Sequence, residues 1–91
     1  MKYEIEITNK FKKDYKLIKK RGYDVNVLKH IIKMLAYGEK LPPEFLDHSL
    51  SGIYKGYREC HIETDWLLIY KIEKNAVVLV LSRTGTHSDL F

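Results

Sequence analysis

One cysteine, two adjacent prolines, five glycines and no long apolar run are found in the 91 residues, and each scarcity closes off a class of protein. A lone thiol rules out a disulfide framework and a cysteine-based zinc site, and Cys60, inside a strand-like segment, is expected in the core. No apolar stretch is long enough to span a membrane or follows a signal-peptide start, so a soluble, cytoplasmic protein without a membrane partner is expected. The length suits a single domain, residues 1–91, with one small core and little room to enclose a cofactor; none is expected. Disorder is excluded by a hydrophobic fraction of 45% set in periodic segments.

The charge is unevenly placed. Residues 1–40 carry eleven Lys/Arg against five Asp/Glu, whereas residues 41–91 carry five against seven, giving a basic first part and a slightly acidic second part. Such asymmetry suits an anionic partner such as nucleic acid, an acidic protein segment or an anionic membrane surface, although a solvated helix face would explain the lysines alone.

Tyr3, Ile5 and Ile7 alternate with Glu4 and Glu6, the period of a strand with one buried face. Thr8 or Asn9 can cap a helix over Lys10–Arg21, where Phe11, Tyr15 and Ile18 recur at helical spacing among lysines and Gly22 ends the run. Asp24 caps a second helix with a Leu28, Ile31, Ile32, Leu35 stripe, closed by Gly38. Residues Glu39 to Lys55, with Pro42, Pro43 and Gly52, fit neither period and are expected to be an irregular loop bearing His48. Strands are expected at Tyr57–Glu63, Trp66–Ile72 and Ala76–Arg83, joined by short turns as an antiparallel meander. The last two are apolar on both faces, so the loop, the Leu90/Phe91 tail or a partner must shield the side away from the helices. The expected fold is α+β, ordered β-α-α-β-β-β, with a helical hairpin on one face of an antiparallel sheet.

In a meander, the first strand ends, the second begins and the third ends at one edge, which gathers His61, Asp65 and Arg83. A turn at residues 73–75 would set Arg83 opposite Asp65. His87, after a Thr-Gly-Thr turn, can fold back over this edge, and the His48 loop would lie alongside. Three readings stand. A metal site has adequate ligands in three His and an Asp, but lacks HxH or HxxxH spacing and would face Arg83. A structural polar network would account for Asp65 with Arg83. Metal-independent RNA cleavage would use histidines to move protons and arginine to hold phosphate, while the ribose 2′-OH supplies the nucleophile.

The phrases DHSLSGIYKGYRECHIETDWLLIYKI, Asp47 to Ile72, and RTGTHSDLF, Arg83 to Phe91, resemble the RelE/ParE superfamily of bacterial toxins, and most closely the YafQ-type mRNA interferases. The resemblance runs over essentially the whole chain. It implies a microbial ribonuclease-like fold, mRNA cleavage in the ribosomal A site and neutralisation by a cognate antitoxin. It places catalytic residues at His48, His61, Asp65, Arg83 and His87, with Phe91 as the carboxy-terminal aromatic. Within that set Arg83 is assigned to the phosphate and His87 to the general acid, with Asp65 and His48 or His61 serving the base. Lys12, Lys13, Lys16, Lys19 and Lys20 would hold ribosomal RNA, and Trp66, unless it is core, and Phe91 could contact RNA bases. No metal is assigned. A non-enzymatic ParE-like binder of gyrase and an inactive RNA-binding module remain alternatives. An acidic, partly disordered antitoxin segment is expected to cover the sheet face that the helices leave bare.

Overall fold

The computed structural model covers residues 1–91. Strand β1 (Glu4–Ile7) leads into α1 (Asn9–Lys20), whose cap is Thr8, with its hydroxyl accepting the Phe11 N–H at 3.1 Å. The left-handed backbone at Gly22, φ +83°, turns the chain, and Asp24 caps α2 (Val25–Ala36) by accepting the Asn26 N–H. Phe11 and Ile18 from α1, with Leu28, Ile31 and Leu35 from α2, form the buried side of the hairpin.

Strands β3 (Arg58–Glu63), β4 (Trp66–Glu73) and β5 (Val78–Gly85) form the expected meander. The stretch read as an irregular loop adds a fifth strand: two-residue β2 (His48–Ser49), between 3₁₀ turns at Pro43–Phe45 and Gly52–Tyr54, pairs antiparallel with β3. Strand β1 joins β5 in parallel, so the sheet order is β1-β5-β4-β3-β2.

The helical hairpin covers one sheet face, where Cys60, Ile62, Trp66, Leu68, Tyr70, Leu79 and Leu81 meet it. Burial pushes the Cys60 thiol up to about 12, so it packs as an apolar group and is no nucleophile. On the other face, Leu67 and Ile69 are buried by Leu90 of a terminal helix α3 (His87–Leu90) together with Leu50, Tyr54 and Tyr57. Loop and tail therefore supply the shield that a two-faced apolar β4 requires.

Three expectations are corrected. The β4–β5 connection occupies residues 74–77, with Val77 in the left-handed region at φ +57°, and a bulge falls between Ile69 and Tyr70. Both shift the register, so that Arg83 lies opposite Ile69 rather than Asp65. Second, Ile5 and Ile7 are 38% and 46% exposed, because β1 is an edge strand that the hairpin covers incompletely. Third, Trp66 is a core residue and is unavailable to stack on RNA. It is 1% exposed, packs edge-on to Tyr23 with ring centroids 5.0 Å apart, and donates from Nε1 to Thr84 Oγ1 at 3.0 Å.

Trp66→Ala should therefore lower the free energy of unfolding by about 3–5 kcal/mol in a denaturant titration followed by circular dichroism. A loss below about 1 kcal/mol would mean that the indole is peripheral to the core.

Candidate active site

Side chains two apart on a strand share a face, so Glu59 and His61 of β3 both project from the sheet face away from the helices, beside Ile69 and Leu67 of β4. Strand β2 adds His48 directly opposite Glu59. The turn that brings it in is strained: Leu46 adopts a left-handed conformation, φ +50°, and its carbonyl accepts from His48 Nδ1 at 2.6 Å. That bond leaves His48 Nε2 pointing at the Glu59 carboxylate, 3.6 Å away, and His61 Nε2 stands 3.6 Å from the same oxygen. Glu59 is buried, with its carboxylate bracketed by two imidazoles.

Sequence reasoning missed Glu59. The available signal was its position two residues before His61, which on a strand guarantees a shared face. The neighbouring polar residue Glu63 is exposed at the end of β3.

The C-terminal segment completes the rim. Thr86 and Asp89 form a reciprocal capping box that starts α3, and its first residue is His87. The Asp65 carboxylate accepts both the His87 backbone N–H at 2.9 Å and the ring Nδ1–H at 2.6 Å. These bonds hold Asp65 below the usual carboxylate range, the backbone N–H contributing most. Because Nδ1 is engaged, Nε2 is the ring nitrogen that His87 leaves free of Asp65. The His87 ring lies 5.7 Å from that of His61, which lies 6.5 Å from that of His48.

Arg83 occupies the same strand end, but its guanidinium is held by α1. Asp14 accepts from its Nε at 2.7 Å and Nη2 at 3.1 Å and also takes the Thr84 N–H, and the hydrogen bonds raise Arg83 above its ordinary range. Nη1 is free of Asp14. The objection that Arg83 would repel a cation among the histidines therefore loses force, and donor atoms of Glu59, His61 and His87 lie within 4.8 Å of one another, close enough to share an ion. Phe91 is 63% exposed, with its ring edge-on to Tyr54 at 5.4 Å.

The five lysines are all exposed, on two sides of α1. Lys12, Lys16 and Lys19 share one side, whereas Lys13 and Lys20 flank the Asp14/Arg21 side that faces β5 and α3. Lys12 and Lys16, with Lys29, rim an open groove of about 440 Å³ floored by Ile5, Ile7, Phe11, Tyr15, Ile32 and Leu81.

A helical hairpin laid on a mixed five-stranded sheet, with a histidine–carboxylate rim on the opposite face, defines a RelE-like toxin domain. A family model for the bacterial toxin YafQ of type II toxin–antitoxin systems matches residues 3–91, and the chain belongs to that family. It is 44% identical to the mRNA interferase toxin YafQ of Escherichia coli K12 over 89 residues, 97% of this chain and 95% of that one. YafQ in the crystal structure of the E. coli DinJ–YafQ complex superposes with a TM-score of 0.90 at 43% identity, covering 98% of each chain. A metal-bound toxin from Helicobacter pylori superposes with a TM-score of 0.92, also at 43% identity, covering 98% of this chain and 99% of that one.

The Asp65 bonds make the placement of His87 acid-sensitive. A carboxyl whose pKa is lowered in the folded state contributes fully above its ordinary value of about 3.9 and loses that contribution as pH falls through the lowered one. Hydrogen exchange should show the His87 amide protected above this range and losing protection below it, and Asp65→Ala should remove the protection at every pH. Equal protection in wild type and Asp65→Ala would show that the carboxylate does not hold the tail.

Proposed function

We propose that this protein is a ribosome-dependent mRNA endoribonuclease, the toxin of its toxin–antitoxin pair, which cleaves the message in the A site by attack of the ribose 2′-OH and so stops translation in the cytoplasm. The observation that carries the reading is the anchored His87: Asp65 occupies Nδ1, leaving Nε2 to protonate the departing 5′-oxygen. Across the rim, His48 or His61, oriented by Glu59, takes the 2′-OH proton. Arg83 offers Nη1 to the phosphate while Asp14 holds the rest of the guanidinium. Phe91 is exposed to stack on a base, and Lys13 and Lys20, with Lys12, Lys16 and Lys19 behind them, hold ribosomal RNA through phosphates. A pure gyrase binder or an inactive RNA-binding module would need no such proton-handling set.

The chemistry needs no metal, since the substrate brings its nucleophile and the histidines carry the protons. The metal-bound H. pylori relative and the cluster of Glu59, His61 and His87 favour a second role for metal, as an inhibitor. A cation on His61 and His87 would occupy the nitrogens that must exchange protons.

The decisive experiment is cleavage of a defined mRNA by antitoxin-free protein, with and without translating ribosomes. Cuts should require ribosomes, survive a chelator, weaken with an added divalent transition metal, and fall by at least about a hundredfold in His87→Ala and Arg83→Ala. Growth arrest that persists in both variants, with no cuts by wild type, would overturn the enzymatic reading.

The partner is an antitoxin, as DinJ is for E. coli YafQ. The sheet face expected to receive its acidic segment is already sealed by Leu90, Leu50, Tyr54 and Tyr57, so that expectation moves to the lysine-rimmed groove beside β1. An extended acidic segment with apolar residues every second position fits there: carboxylates meet Lys12, Lys16 and Lys29, and side chains enter over Ile5 and Ile7. Ile7→Asp should weaken antitoxin affinity at least about tenfold, equivalent to about 1.4 kcal/mol, in calorimetric titration. Unchanged affinity would place the segment elsewhere.

A further inference from the structure

Helix α3 has only four residues, His87–Leu90, too few to hold a helical orientation unaided. Something outside must fix it if His87 is to meet a substrate reproducibly. Leu90 enters the apolar patch over Leu67 and Ile69, which sets its depth, and Asp65 holds the His87 ring. A third fixture crosses from the other layer of the molecule. Arg21, the C-cap of α1, donates through Nη1 to Asp89 Oδ2 at 2.7 Å and through Nη2 to Oδ1 at 3.1 Å, a bidentate pair joining residues 68 positions apart. Asp89 Oδ2 also accepts the Thr86 N–H at 2.9 Å, so one carboxylate both starts α3 and ties it to the helical hairpin. Arg21, with the Thr86 N–H, keeps Asp89 well below the usual carboxylate range. The backbone leaves room for this carboxylate: a Cβ at residue 85 would stand 2.8 Å from Asp89 Oδ2, and that residue is Gly85. Arg21 and Asp14 lie seven residues apart along α1 and its cap, hence on one helix face, and together they grip the end of β5 and the segment beyond it.

We infer that Arg21 and Asp89 are positioning residues for His87, holding α3 at the angle from which Nε2 reaches the leaving oxygen. This rests on the reading of His87 as the general acid. Neither residue touches the reacting atoms; their effect passes along the short stretch of α3 between Asp89 and His87.

The two charges are opposite, which separates positioning from electrostatic attraction to RNA. Arg21→Gln removes a positive charge and Asp89→Asn a negative one, so an effect on RNA affinity would move them in opposite directions. Positioning requires both to lower the single-turnover cleavage rate on ribosomes by about tenfold or more, at an unchanged half-saturating ribosome concentration. The double variant should be no slower than the slower single one, and Arg21→Lys, which keeps the charge and loses the fork, should fall between wild type and Arg21→Gln. Hydrogen exchange at His87–Leu90 should accelerate while β4 stays protected, which shows that the fold is kept. The inference is overturned if Arg21→Gln cleaves like wild type while His87→Ala is inactive, if the two single variants shift in opposite directions, or if only half-saturation changes. A His87→Ala protein that cleaves normally would overturn the catalytic reading itself and this inference with it.

Discussion

Burial of β4 on both faces is the constraint on which the other features depend. Five consecutive residues, Trp66 to Tyr70, are buried, an arrangement that only a covered central strand can sustain. The helical hairpin seals one face through Trp66, Leu68 and Tyr70. The opposite face would present Leu67 and Ile69 to water were it not for the chain on either side of the meander, which folds over it from the Leu50–Tyr57 turn and from Leu90. Both covering segments also bring in a histidine. The approach to the first passes through β2 and delivers His48 beside Glu59, and the second begins with His87. The rim is thus a by-product of sealing a sheet: apolar anchors bring the polar groups in, and hydrogen bonds to the Leu46 carbonyl and the Asp65 carboxylate then set the angles of the His48 and His87 rings.

The sequence made most of this legible, for local reasons. Thr8 and Asp24 as caps, the Leu28/Ile31/Leu35 stripe and the meander were readable because each depends on residues within a few positions of one another. The gathering of His61, Asp65, Arg83 and His87 at one edge, with the His48 loop alongside, was read from the topology of the meander. What failed depended on the placement of a turn, on a bulge or on distant partners. A left-handed Val77 and one bulge moved Arg83 from Asp65 to Ile69, and no spacing rule announces either. Asp14 and Arg83 are 69 positions apart, so nothing local could tell that the arginine was already engaged. Trp66 looks alike in sequence whether it is core or platform; its bond to Thr84 decides.

The rim also shows how a small surface assigns roles to similar groups. His48 donates to a carbonyl, His87 to a carboxylate, and His61 has the Glu59 carboxylate beside it. Which nitrogen each ring presents is therefore set by its neighbour and not by its residue type. Glu59 is central to that arrangement, since one oxygen of its buried carboxylate stands 3.6 Å from Nε2 of both rings.

The parallel pairing of β1 with β5 has a consequence for how the molecule comes into being. Thr8 donates to the Ser82 carbonyl 74 positions later, so the strand made first cannot find its place until the strand made last among the five has emerged. Contacts of such long span are slow to form and close the structure late. A partly synthesised chain can build its helical hairpin, but it has no closed sheet for the hairpin to cover, and His87 lies beyond β5. The histidine–carboxylate rim is thus incomplete until the chain beyond β5 has been made, so the order of synthesis places its completion at the end.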